Sequence, residues 1–110
     1  MTYQIRITKT AERDLIAATD HIEFVLKNSK AANDLLDEAE TQINSLDEYP
    51  ERCKVVDDPI LNSWRIRYVI VKNYLAFFTI DEAKKEVIVV RFLFQKSNWN
   101  SILRQGIALH

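Results

Sequence analysis

Apolar and polar residues change their spacing several times along the chain, and each change predicts a new element. Residues 3–8, YQIRIT, alternate with period two, which is typical of a short strand. From residue 10 to about Asn28 the apolar residues recur at steps of three and four, which predicts an amphipathic helix. The apolar stripe of this helix comprises Ala11, Leu15, Ile16, Ala18, Ile22, Val25 and Leu26. Asn28 and Ser29 can end this helix and cap a second one.

The second helix shows the same spacing and ends before Pro50. Its apolar positions are Ala32, Leu35, Leu36, Ala39, Ile43 and Leu46. Because only about two residues join the helices, we expect them to lie antiparallel as a hairpin. Neither apolar stripe is stable in water, so a broad apolar surface elsewhere in the chain should cover both.

Three apolar segments after a loop from Pro50 to Asn62 supply that surface. SWRIRYVIV, NYLAFFTI and EVIVVRFLF are typical of strands, and DEAKK is typical of the turn between the last two. These last two are apolar on both faces, as strands in a sheet interior are. We therefore predict an α+β fold of order β-α-α-β-β-β, with two antiparallel helices packed on one face of a small, mainly antiparallel sheet.

Composition narrows the class of protein. The length of 110 residues predicts a single domain over residues 1–110, large enough for one core. No apolar run reaches the roughly 20 residues of a membrane span, and no secretory signal pattern precedes the first strand. Cys53, the only cysteine, cannot form an internal disulfide. We expect a cytoplasmic protein with no membrane partner.

Several kinds of chemistry lack the residues they need. The single glycine, Gly106, excludes a glycine-rich phosphate loop. The usual zinc ligands cannot be assembled from His21, His110 and Cys53, and His21 falls on the apolar stripe of the first helix. We therefore expect no cofactor, no metal and no Ser-His-Asp site.

The net charge of −1 conceals an asymmetry between the halves of the chain. Residues 1–49 carry a charge of −5 and residues 50–110 carry +4. This asymmetry predicts a basic working surface on the second half. Two solvated acidic helices beside a sheet would give the same imbalance, so both interpretations stay open.

Arg65 and Arg67 stand two residues apart in the first strand after the loop. On a strand such residues project from one face, and Trp64, Ile66 and Tyr68 project from the other. If the helices cover the Trp64 face, both guanidinium groups lie on the open side, where they could grip phosphates. A strand face kept soluble by arginines is the structural alternative.

Arg91 lies in the most apolar segment, so its charge should have a partner. Strict alternation would place Val89, Arg91 and Leu93 on one face, and Val90, Phe92 and Phe94 on the other. One hypothesis is a structural ion pair with an acidic residue of a helix or a neighbouring strand. The other places Arg91 on the open face beside Arg65 and Arg67.

The remaining candidates flank the strands. Lys96 follows the last strand and could contact a phosphate or donate a proton. Trp99 could stack on a base, although its spacing to Ile102 and Leu103 favours packing over the end of the core. Lys54 belongs to the loop, should be exposed and is a candidate for target binding.

The hairpin WRIRYVIVKNYLAFFTID and the ending VIVVRFLFQKSNWNSIL, together with the element order, resemble the RelE/ParE superfamily of toxins. The resemblance covers Tyr3 to Leu103 and implies the same helix-on-sheet fold. It also implies a toxin of a type II toxin–antitoxin system, whose cognate antitoxin wraps and blocks it. Operator DNA would be bound only through that antitoxin.

The superfamily divides by activity. RelE-like members cut mRNA in the ribosome; for them the resemblance implies a catalytic role for Arg65, Arg67 and Lys96. ParE-like members poison DNA gyrase, and their last strand commonly holds an arginine where Arg91 stands. In this chain an expected arginine of the RelE cluster falls at Tyr74. RNA docking benefits from strong positive charge, whereas this chain has a net charge of −1. We therefore favour the gyrase activity slightly, with the endoribonuclease and an inactive antitoxin-binding module as alternatives.

Overall fold

The chain folds as a strand, two helices and then three strands, with short helices before and after the last three. In the computed structural model, which describes residues 2–110, the strands are β1 (Gln4–Ile7), β2 (Arg67–Val71), β3 (Tyr74–Asp81) and β4 (Glu86–Phe94). The helices are α1 (Lys9–Asp20), α2 (Ser29–Asn44), α3 (Pro59–Ser63) and α4 (Trp99–Arg104). The predicted α+β class and element order are confirmed, whereas Met1 of the expected domain lies outside the described residues.

Within residues 2–110 the strands form one sheet in the order β1-β4-β3-β2. β2, β3 and β4 pair as antiparallel neighbours, and β1 pairs with β4 in parallel. The sheet is therefore mainly antiparallel, as predicted. β3 and β4 are central and covered on both faces, which explains their unbroken apolar sequences. No helix in the described part of the chain is long and apolar enough to span a membrane.

α1 begins where the sequence predicts. The Thr8 hydroxyl accepts a hydrogen bond from the Ala11 N–H and so caps the helix. Ala11 and Ala18 are buried, which confirms the centre of the predicted stripe. Ile16, however, is exposed on the outer side of the helix.

The end of the first helix differs from the predicted stripe. Residues His21–Val25 form a π-helical turn, in which the Leu26 N–H donates to the His21 carbonyl five residues earlier. The wider turn breaks the spacing of three and four residues on which the predicted stripe depends. Val25 and Leu26 are therefore exposed, as are Phe24 and His21, and the prediction that His21 lies on the buried stripe was wrong.

α2 packs antiparallel to α1 and completes the predicted hairpin. The Asn28 side chain accepts a hydrogen bond from the Ala31 N–H, so this residue is the expected cap. Apart from Leu36, which is exposed, the predicted apolar positions of α2 face the sheet. Its buried residues are Ala32, Leu35, Ala39 and Ile43.

The hairpin and one face of the sheet enclose what we call the first core. Leu46 and Phe78 are its largest fully buried side chains, together with Leu35. A side chain of this size contributes ~1.5–3 kcal/mol when it is fully buried. This core therefore supplies a large part of the stability of the fold.

The opposite face of the sheet is covered as well, contrary to the expectation of an open side. α3, α4 and the residues around Val56 pack on it and form what we call the second core. Its fully buried side chains are Val56, Leu61, Ile66, Phe77, Val90 and Leu103. The segment predicted as a plain loop, residues 50–62, contains a short 3₁₀ helix (Pro50–Arg52) and all of α3 except its last residue, Ser63. The expectation was wrong because a five-residue helix leaves no periodic pattern in the sequence.

β4 contains a bulge that breaks strict alternation. Phe77 pairs with Arg91 and Phe78 pairs with Val89, which leaves Val90 as an extra residue. Val89 and Phe92 consequently face the first core, whereas Val90 and Leu93 face the second. The predicted division of these residues between the faces was therefore wrong beyond the bulge.

Candidate functional site

The six predicted site residues lie in separate parts of the molecule. Arg65 and Arg67 line one small cleft, Lys54 and Trp99 line another, and Arg91 lies at the edge of β4. Lys96 is exposed in the turn after β4. The structure thus does not assemble them into one basic cluster.

Arg67 lies on the face of the sheet opposite to the predicted one. It stands across from Phe78, a first-core residue, and residues directly opposite in a sheet share a face. Its guanidinium group donates hydrogen bonds to the backbone carbonyls of Glu51 (3.1 Å) and Cys53 (2.6 Å). The prediction of an open-face Arg67 was wrong because Ile66 and Tyr68 take their own cover from the second core.

Arg65 is not in a strand. β2 begins only at Arg67, since Trp64 and Arg65 form the turn that follows α3. Arg65 has a φ of 59°, an uncommon value for a residue with a Cβ. It is exposed and shares a cleft of about 230 Å³ with Arg67, Ile80 and Glu82. The two arginines are neighbours, as predicted, but a carboxylate lies in the same cleft.

Arg91 forms the structural ion pair that was one of the two hypotheses. Its Nε and Nη2 donate to the Asp14 carboxylate of α1 at 2.7 and 3.0 Å. Asp14 also accepts the Phe92 N–H at 3.1 Å, beyond the point where β1 ends. The Asp14 carboxylate thus pairs with a partly buried charge and accepts a hydrogen bond from a donor of β4 that β1 does not reach.

A cleft of about 460 Å³ lies beside β2 on the face of the second core. Its lining includes Lys54, Tyr68, Ile70, Leu75 and Trp99. The Trp99 ring packs against Phe77 at 5.2 Å between centroids, as the packing hypothesis expected. Trp99 also lines the cleft, and its stacking on a base stays a prediction.

An ion pair not predicted from the sequence holds the short helices together. Asp58 is buried, caps α3 by accepting the N–H groups of Ile60 and Leu61, and binds the Arg104 guanidinium of α4. The hydrogen bond from Arg104 holds the pKa of Asp58 below its usual range, against the effect of burial. Aspartate before proline, as in Asp58-Pro59, was the available signal for a helix start.

A second unpredicted cluster surrounds Tyr3. Its hydroxyl lies 2.9 Å from a carboxylate oxygen of Glu51 and 3.1 Å from one of Glu82. The bond to Glu51, burial and the nearby Glu82 raise the pKa of Tyr3 to about 12. The Lys85 ammonium lies 5.3 Å from the centre of the Tyr3 ring. Residues this far apart in sequence offer no signal of their contact.

A third cleft, of about 600 Å³, lies where the tip of the helical hairpin meets the β2–β3 turn. It is lined mainly by apolar side chains, including Ile22, Leu26, Tyr74 and Phe94. Within residues 2–110 no group of three or more His, Cys, Asp or Glu side chains is placed to hold a metal ion.

Comparisons with known proteins agree with the resemblance drawn from the sequence. The solved structure described as the chromosomal ParDE TA system from P. aeruginosa is similar, with 20% identity, a TM-score of 0.69 and coverage of 84% of this chain and 96% of that one. The toxin–antitoxin complex RelBE2 from Mycobacterium tuberculosis is similar at 20% identity, a TM-score of 0.51 and coverage of 86% and 99%. At such identities the likeness concerns the fold.

No curated protein matches the sequence. A family model described as "ParE toxin of type II toxin-antitoxin system, parDE" matches residues 5–99. Because this match spans most of the chain, the protein belongs to the ParE toxin family of type II toxin–antitoxin systems.

Proposed function

We propose that this protein inhibits growth by poisoning DNA gyrase in the cytoplasm and that a cognate antitoxin neutralises it. Membership of the ParE toxin family supports the toxin role. The similar structures are described as toxin–antitoxin systems or complexes, which supports an antitoxin as partner. Operator DNA would be reached only through that antitoxin.

The dispersal of the basic side chains is the observation that favours gyrase over an RNA substrate. The guanidinium groups of Arg67 and Arg91 are occupied by backbone carbonyls and by Asp14. Arg65 shares its cleft with Glu82. A nuclease that docks in RNA benefits from several free cations on one surface. This chain has a net charge of −1, and the predicted basic side chains do not form such a surface.

The test follows DNA and RNA in parallel after brief induction of the toxin. We expect gyrase-dependent double-strand breaks and a DNA-damage response while protein synthesis continues, and inhibited supercoiling by purified gyrase. Site-specific mRNA cleavage with unimpaired supercoiling would overturn the gyrase proposal. If the protein is folded and binds its antitoxin but does not slow growth, it is an inactive binding module.

A matched pair of lysines tests the predicted target contact of Lys96. Lys96 and Lys84 are both exposed, but only Lys96 follows the last strand. We expect Lys96→Ala to weaken gyrase inhibition and Lys84→Ala to leave it unchanged, with both variants equally stable. Equal activity of the two variants would remove Lys96 from the site.

The cleft beside β2 favours a second candidate, the RelE-like endoribonuclease. It places an ammonium group, Lys54, with the aromatic rings of Tyr68 and Trp99, and bases stack on such rings. If mRNA is cleaved after induction, Lys54→Ala should reduce cleavage while gyrase assays stay negative. Intact mRNA would dismiss this candidate.

A further inference from the structure

The tip of the helical hairpin exposes three large apolar side chains in a row. Phe24 is 67% exposed, Val25 is 65% exposed and Leu26 is 60% exposed. Among residues 2–110 no other exposed large apolar residues are neighbours in sequence. Single apolar residues are common on protein surfaces, whereas a contiguous group marks an interaction surface. We call these three residues the tip patch.

The tip patch continues into the cleft of about 600 Å³. Leu26 belongs to both, and Tyr74 and Phe94 are the aromatic part of the cleft lining. The Tyr74 ring stacks on Phe92 at 5.1 Å and meets Phe94 edge-on at 5.4 Å between centroids. Another aromatic ring can extend such a group by stacked or edge-on contact. The surface thus combines an exposed aromatic side chain, Phe24, with a cleft that suits one.

An exposed side chain and a cleft on one surface complement a second copy of that surface. In a dimer with two-fold symmetry the same patch meets itself, so each contact is made twice. Phe24 lies between Ile22 and Leu26, which both line the cleft. The two reciprocal contacts therefore fit within one interface, and the assembly closes as a dimer.

Opposite charges flank the tip patch and form no ion pair within residues 2–110. Glu23 precedes Phe24, Lys27 follows Leu26, and both charged residues are exposed. Residues four apart pair on a regular helix, but the helix ends before Lys27, whose φ is 53°. A two-fold axis through the patch would bring Glu23 of one copy towards Lys27 of the other. A nucleic acid or an anionic membrane would instead favour a purely basic surface.

We infer that two copies of the free protein associate through their tip patches into a symmetric dimer. Phe24 of each copy occupies the cleft of the other, and Glu23 pairs with Lys27 across the axis. Because the surface is confined to one end of the hairpin, we expect a transient dimer with a Kd on the order of 10 μM. The dimer does not depend on which target the toxin inhibits, since it is defined by residues of this chain alone.

Sedimentation velocity of the full chain from about 1 to 200 μM, a range on both sides of that Kd, measures the dimer. We expect Phe24→Asp to weaken association at least about tenfold, because a charge replaces the central apolar contact. Tyr49→Asp is the matched control: Tyr49 is 68% exposed but follows the opposite end of α2, so this variant should dimerise like the wild type. Thermal unfolding checks that both variants are folded. A wild-type protein that stays monomeric, or equal weakening by both variants, would overturn the inference.

Two charge reversals test the symmetry of the contact. Glu23→Lys makes both flanking charges basic, and Lys27→Glu makes both acidic, so each variant repels its own copies. We expect each alone to dimerise about fivefold more weakly than the wild type, an effect typical of exposed ion pairs. A mixture of the two variants should associate as strongly as the wild type, because each acidic residue then faces a basic one. A mixture that associates no better than its components would overturn the symmetric arrangement.

An antitoxin that covers the tip patch is the competing occupant. In the dimer proposal the wild-type protein self-associates before any antitoxin is added. If the free wild-type protein is monomeric and Phe24→Asp loses only its binding to the antitoxin, the patch serves the antitoxin and the dimer is refuted.

Discussion

The two faces of the sheet are covered in different ways. The first core lies under α1 and α2, whose residues repeat at helical spacing and carry their own caps. The second core lies under α3 and α4, which have five and six residues and depend on the Asp58–Arg104 ion pair. Isolated helices of that length are unstable in water. The local sequence is therefore enough to specify α1 and α2, whereas α3 and α4 are stable only because residues distant in sequence, Asp58 and Arg104, connect them.

Phe78 and Phe77 test this difference most strongly, since they are adjacent, fully buried and on opposite faces. Phe78→Ala should cost roughly 4–5 kcal/mol of unfolding free energy, because the long helices cannot move into the cavity. Phe77→Ala should cost about 3 kcal/mol, because α4 can shift towards the sheet. Urea unfolding of both variants measures the two costs, and a larger loss for Phe77→Ala would contradict the comparison.

A substitution of Asp14 should give the next largest effect. Asp14 belongs to α1, one of the two helices over the first core. Asp14→Ala removes hydrogen bonds to Arg91 and to the Phe92 N–H. We expect the free energy of unfolding to fall by about 2–3 kcal/mol, as measured by urea unfolding. Asp34→Ala breaks the exposed pair with Lys30 and serves as the control, which should change little. Similar losses in both variants would mean that the Asp14 bonds are not structural.

Arg67 and Arg65 share one cleft but should differ in role. Arg67→Ala removes the bonds to the carbonyls of Glu51 and Cys53, and should lower the free energy of unfolding by about 1–2 kcal/mol. Arg65→Ala, at an exposed turn, should change it by less than ~0.5 kcal/mol. Thermal or urea unfolding separates them, and an equally stable Arg67→Ala protein would reopen a direct functional role for that residue.

The smallest expected effect is the loss, at low pH, of the stabilisation that the Asp58–Arg104 pair gives to α3 and α4. The pKa of Asp58 is lowered in the folded protein by Arg104. The stabilisation is therefore present above the unfolded pKa, near ~4, and is lost as pH falls through the lower folded value. Arg104→Met should be less stable than the wild type at neutral pH, and this difference should disappear in acid.

Fluorescence of Trp99 in a Trp64→Phe background follows that transition, because α4 carries Trp99 over the second core. Helix content measured by circular dichroism should change little in the same pH range, since α1 and α2 do not depend on Asp58. Simultaneous loss of both signals would show that α1 and α2 unfold together with α3 and α4 as one unit.

The predicted site illustrates where sequence reasoning succeeded and failed. The need of Arg91 for a partner followed from its apolar neighbours, and Asp14 is that partner. The predicted face of Arg67 was wrong. Alternation shows which residues share a face of the sheet, but it does not show which helices pack on that face. The role of each of the six residues in target binding stays a prediction.

The sequence by itself determined the helical hairpin, the cap at Asn28, the order of the elements along the chain and the membership of a toxin family, because each of these is encoded in local spacing or in a contiguous match. Only the tertiary structure decided the bulge at Val90 and the packing of α3 and α4 on the second core, which the Asp58–Arg104 pair holds in place. Each of these depends on contacts between segments distant along the chain. No local pattern records such contacts, since their energy arises only when the sheet brings those segments together.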